Sequence, residues 1–101
     1  MSGLLHQLLC ADPRAVEDCI AFVSEGDVVL LVDSGVHLLG SRNSILAAHA
    51  RDGCKFRLFA LASDVIARGL QCQAEQLSVT LVDDGQWLDH VCASQQVLSW
   101  K

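Results

Sequence analysis

The run Val28 to Val32, five consecutive apolar residues opening directly into Asp33-Ser34-Gly35, most narrows what this chain can fold into. A run so short and so apolar fits a strand buried on both faces. The polar, glycine-containing end marks a strand terminus that opens onto a loop. In open α/β sheets ligands and partners are met at the carboxyl ends of the strands. Chemistry is therefore sought first around Asp33, Ser34, Gly35 and His37.

The remaining segments supply alternating strand and helix signals. Residues 4–9 (LLHQLL) read as a first strand, with His6 half-exposed on it. Asp12-Pro13 is a helix start, aspartate at the N-cap and proline at N1. Val16, Cys19, Ile20 and Val23 then share one helix face, and Gly26 supplies a stop. On that face Cys19 reads as a buried, inert thiol packed like a small hydrophobe. After the central strand, residues 36–39 fit a short continuation or a packed loop. Ser41 or Asn43 caps a second helix to about Arg51, with Ile45, Leu46 and His49 on one side.

Residues 55–62 (KFRLFALA) form a third strand. Ser63-Asp64 read as an N-cap before a short helix closed by Gly69 in the left-handed C′ position. Residues 71–76 are polar and read as a loop exposing Cys72. Residues 77–82 (LSVTLV) are rich in β-formers and make a fourth strand. Asp84 is placed to cap a last helix over about 85–93, with Trp87, Leu88, Val91 and Cys92 at helical spacing. Residues 97–100 (VLSW) are expected to be a short strand or packed tail, with Trp100 docked on the body of the domain or on a partner. Alternating elements in this order predict one α/β domain over residues 1–101. Its sheet is mostly parallel, about five-stranded and flanked by helices on both faces.

Composition removes several functional classes. The chain has 101 residues, is 51% apolar and 19% charged, and has a net charge of −5 with no run of Lys or Arg. Electrostatically driven binding to nucleic acid or to an anionic membrane is not expected. No apolar stretch approaches membrane-spanning length. The first residues lack the charged and apolar regions of a secretory signal. Cys10, Cys19, Cys54, Cys72 and Cys92 are odd in number and scattered, without a C-x-x-C. Neither a disulfide framework nor a zinc site follows, and a reducing, cytoplasmic setting is expected.

Motif chemistry is equally sparse. There is no dinucleotide fingerprint, P-loop, G-x-S-x-G or H-E-x-x-H. Asp83 and Asp84 point opposite ways on a strand and read as a strand end plus cap rather than an acid/base pair. Asp33 lacks the second acidic residue and the lysine that a phosphoacceptor site needs. His37 lies well for a polar role but has no partner in sequence. Cysteine remains. A persulfide carrier needs an accessible thiolate beside positive potential, and Cys19 lies beyond the first helical turn, where the helix dipole does little.

The segments LLHQL, EDCIAFVSEGDVVLLVDSGV, FALASDVIARGL and VLSWK, in this order and spacing, resemble the TusB/DsrH family over essentially the whole chain. The resemblance implies a non-catalytic subunit of a sulfur-relay complex, joined to TusC- and TusD-like subunits as a dimer of heterotrimers. TusA and TusE would be indirect partners. It implies persulfide transfer toward 2-thiolation of the tRNA wobble uridine, with no cofactor, no metal, and no direct contact with nucleic acid or membrane. In the family's catalytic subunit a cysteine precedes a helix that ends in an arginine-glycine turn. Judged from Ala67-Arg68-Gly69, the matching place here is about Leu61, which is not a cysteine. Cys19 in EDCIAF matches a helix cysteine of DsrH-type members. It is therefore the one sulfur-carrying candidate, and burial of Cys19 would speak against that role. A DsrH-type relay subunit in sulfur oxidation is the remaining alternative.

Overall fold

A computed structural model describes residues 3–51, 53–94 and 96–101. Five strands form one all-parallel sheet: β1 (Leu4–Leu8), β2 (Val28–Leu31), β3 (Arg57–Leu61), β4 (Thr80–Val82) and β5 (Gln96–Trp100), in the order β4-β3-β2-β1-β5. The expected α/β layered architecture is what the chain adopts. All four residues of β2 are buried, as the apolar run required.

The strand order dictates how the helices divide. Successive strands β1 to β4 step in one direction, so right-handed crossovers place their helices on one face. These are α1 (Pro13–Phe22), α2 (Ser44–His49), α3 (Ala62–Ala67) and α4 (Gln71–Gln76). The last connection returns across the sheet to the far side of β1, so its helix α5 (Asp84–Ala93) lies on the opposite face. Two cores result. Val16, Cys19, Leu31, Ile45, Leu58 and Val65 pack in the larger one. Leu5, Leu30, Val32 and Leu61 pack against Trp87 and Val91 in the smaller one.

Local signals act as read at several ends. Asp12 caps α1, its side chain accepting from the Arg14 N–H at 2.9 Å, with Pro13 in the first turn. Asn43 caps α2 by accepting from the Leu46 N–H. Gly69 takes φ +67° after α3.

Other expectations give way to tertiary context. Of the two readings for residues 36–39, the packed loop holds and the strand continuation does not, because residues 33–40 form a 3₁₀ segment with Val36, Leu38 and Leu39 buried. The 71–76 stretch is helix α4, not loop: its Gln, Ala and Glu residues are good helix formers, and Ala74 alone is buried. Consequently β4 begins only at Thr80. Helix α3 starts at Ala62 without a side-chain cap, so Ser63 and Asp64 lie within its first turn. Asp83, not Asp84, caps α5, in a reciprocal capping box with Gln86. Cys92, which helical spacing placed in the core or on a helix flank, is exposed on the flank. Trp87, His90 and Val91 are the half-buried residues of that helix, with the His90 ring 4.9 Å from that of Phe59, and Leu88 is 62% exposed.

Candidate functional site

The carboxyl ends of β2 and β3 carry a polar cluster. Asp33 leaves β2 in the left-handed region, φ +52°, and its backbone N–H donates to Asp64 Oδ2 at 2.6 Å. Arg68, one turn after Asp64, donates to Asp33 Oδ1 at 3.1 Å and lies 3.6 Å from Asp64 Oδ1. The aspartates are thereby tied to one cation, and Asp33 is largely exposed. The grouping fixes the start of the 3₁₀ segment and provides no nucleophile.

Beyond Asp33 the loop is pressed into the fold. Gly35 passes so close to the end of β1 that a Cβ would stand 1.9 Å from the Leu8 carbonyl oxygen. Val36, Leu38 and Leu39 are buried behind it, while Ser34 and His37 face outward. Sequence placed these residues at a strand end. The structure gives the segment a packing role.

Leu61, the last residue of β3, is buried in the smaller core beside Val82. The position that the resemblance assigns to a catalytic cysteine thus holds a packed hydrophobe with no reactive atom.

Cys19 is buried at 0% exposure in the larger core. Burial pushes its thiol up to about 12, and the Asp27 carboxylate adds to the shift in the same direction. A thiolate there is disfavoured at neutral pH, and no solvent path reaches the sulfur. This placement speaks against a persulfide carrier. Cys72 and Cys92 are exposed on α4 and α5, and Cys10 and Cys54 are half-buried. His49 is half-buried, 3.1 Å from the Leu77 carbonyl oxygen across the α2–α4 side of the domain. Among the described residues no group of three or more His, Cys, Asp or Glu side chains could hold a metal ion.

A cluster that the linear sequence did not reveal lies between β1, the entry to β2 and the edge strand β5. His6 is fully buried, not half-exposed as expected on an alternating strand. Its Nε2 lies 2.8 Å from Asp27 Oδ2, and its Nδ1 accepts the indole N–H of Trp100 at 3.1 Å. Because Nδ1 is an acceptor, the ring hydrogen sits on Nε2 and donates to Asp27. Asp27, 3% exposed, also accepts the backbone N–H groups of Leu4 and Ser24. Burial alone would raise its carboxyl. The hydrogen bonds from His6, Ser24 and Leu4 outweigh that and hold it below the ordinary carboxylate value. Phe22 closes the cluster, edge-on to His6 and 5.9 Å from Trp100 between ring centres. Every polar atom of the His6 and Trp100 rings has a partner, so the group is a structural clasp on β1, the entry to β2, and β5. The only hint in sequence was a histidine, beside Gln7, in a mostly apolar strand.

No helix among the described residues is long and apolar enough to cross a membrane. The DsrH-like protein family model matches residues 11–97. A solved structure of a conserved protein of unknown function from Bacteroides thetaiotaomicron is similar in fold. It has a TM-score of 0.65 and 14% identity, and the match covers 95% of this chain and 93% of that one. No curated protein matches in sequence.

Proposed function

The chain belongs to the DsrH-like family, and we propose that it serves there as a non-catalytic subunit of a cytoplasmic sulfur-relay complex. In this reading it completes an assembly with TusC- and TusD-like subunits that passes a persulfide toward 2-thiolation of the tRNA wobble uridine. The observation that carries the proposal is the buried Leu61 at the strand end where a catalytic subunit would present its cysteine. The inaccessible Cys19 thiol agrees with it, as does the absence of any basic run in a chain of net charge −5.

The test is mass spectrometry of the chain, alone and with TusC- and TusD-like partners, after incubation with a persulfide donor. The expected result is co-purification with those partners and no stable sulfur adduct on Cys19. An adduct of one sulfur on Cys19, lost in Cys19→Ser, would make the chain a carrier in its own right.

A further inference from the structure

Strand β5 is an edge of the sheet, bonded on one side to β1 and on the other side to no strand among the described residues. Edge strands present unpaired N–H and C=O groups, and soluble proteins blunt them by shortening or by charge. The opposite edge follows that rule: β4 has three residues and runs into Asp83-Asp84. Strand β5 does not. It has five residues, Gln96-Val97-Leu98-Ser99-Trp100, with no charge and no proline among them, and its one directly following charge, Lys101, lies beyond the residues that would pair.

The ladder to β1 fixes which groups face outward. The Trp100 carbonyl accepts from Leu9, toward β1. Backbone direction alternates along a strand, so the N–H and C=O groups of Val97 and Ser99 point away from the sheet. We infer that this edge pairs with the same edge of a second copy of the chain, antiparallel about a two-fold axis at Leu98. In that register Val97 of each copy exchanges two hydrogen bonds with Ser99 of the other, four bonds in all, and Leu98 meets its own copy in a non-hydrogen-bonded pair. No like charges meet, because the strand has none.

The side chains agree with the backbone. Leu98 and Trp100 lie on the α1 face of β5, both half-buried. Beside Trp100, Phe22 is 55% exposed. Pairing covers these apolar groups. The hydrogen bond from Trp100 to His6 holds the strand end in place beforehand, so little order remains to be gained on association. The inference does not depend on a role in sulfur relay.

Sedimentation velocity of the full chain over a wide concentration range is the primary test, with a concentration-dependent dimer expected. Ser99→Pro removes an outward N–H and leaves the β1 ladder intact, so it abolishes the dimer while circular dichroism stays unchanged. Leu98→Lys sets a charge against its own copy and has the same effect, which decides the matter should the proline variant fail to fold. With Cys72 and Cys92 replaced by serine, Leu98→Cys forms a disulfide-linked dimer. Ser99→Cys, which faces Val97, does not. A wild-type chain that remains monomeric throughout, or a dimer that survives Leu98→Lys uncrosslinked by Leu98→Cys, overturns the inference. A monomer whose Leu98 crosslinks only to an added relay subunit assigns the edge to that partner instead and overturns it equally.

Discussion

The indole N–H of Trp100 donates to Nδ1 of His6 at 3.1 Å, with the two ring planes 16° from parallel. This one bond joins strands β5 and β1 through side chains as well as through their ladder. It also fixes the histidine tautomer that faces Asp27. Replacing Trp100 by Phe keeps most of the apolar area and leaves Nδ1 of a buried ring without a donor, which costs about 1–3 kcal/mol. Chemical denaturation of Trp100→Phe should show that loss, and most of it should vanish in a His6→Leu background. Equal losses in both backgrounds would mean that packing, not the hydrogen bond, holds the strand.

Asp27 makes stability depend on acid. Its folded carboxyl lies below the ordinary value of 3.8. The unfolded chain therefore binds the proton first as pH falls. The contribution is complete above the unfolded value and disappears as pH drops through the folded one. Asp27→Asn should be less stable than wild type at neutral pH, and the gap should narrow as pH falls below about 4. A gap independent of pH between neutrality and strong acid would remove Asp27 from this role.

The thiols should separate cleanly by reactivity. Cys19 is buried with its thiol pushed up to about 12, while Cys72 and Cys92 are exposed. With iodoacetamide near pH 8 the native chain should be alkylated at Cys72 and Cys92 and spared at Cys19 until denaturant is added. Peptide mapping reads each site directly. Prompt native labelling of Cys19 would contradict its burial.

Gly35 is needed for the close approach of backbone to backbone. A Cβ there would meet the Leu8 carbonyl oxygen at 1.9 Å, so strand β1 or the 3₁₀ segment has to move. Gly35→Ala should destabilise by several kcal/mol, at the upper end of what overpacking costs (about 1–3 kcal/mol, occasionally more). Thermal melts measure it. At Gly85, where the nearest non-neighbouring atom to a Cβ is a side-chain oxygen of Asp83 at 3.4 Å, alanine should be far milder.

The Asp33–Asp64–Arg68 cluster should matter less than its position at the strand ends suggests. The Asp33 side chain is 67% exposed, and exposed ion pairs contribute about 0–1 kcal/mol. Arg68→Ala should shift the denaturation midpoint only slightly. A large loss would point to a partner group or ligand gathered by the cluster.

Sequence alone determined the elements whose signals are local. The apolar run of β2 needs only burial on both sides, the Asp12-Pro13 start needs only its own first turn, and Gly69 needs only a left-handed φ. The order of these elements then leaves one economical solution, a parallel layered sheet. Tertiary structure decided whatever depends on a distant partner. Asp64 is a plausible cap by sequence, but its carboxylate is taken by the Asp33 N–H, 31 residues away. Cys92 has helical spacing suited to a core, yet α5 covers the sheet with only a narrow stripe. His6 becomes a buried clasp because Asp27 and Trp100, 21 and 94 residues away, supply one partner for each ring nitrogen. A buried polar group is tolerated only when satisfied. Those partners are brought together by strand order, which no local spacing encodes.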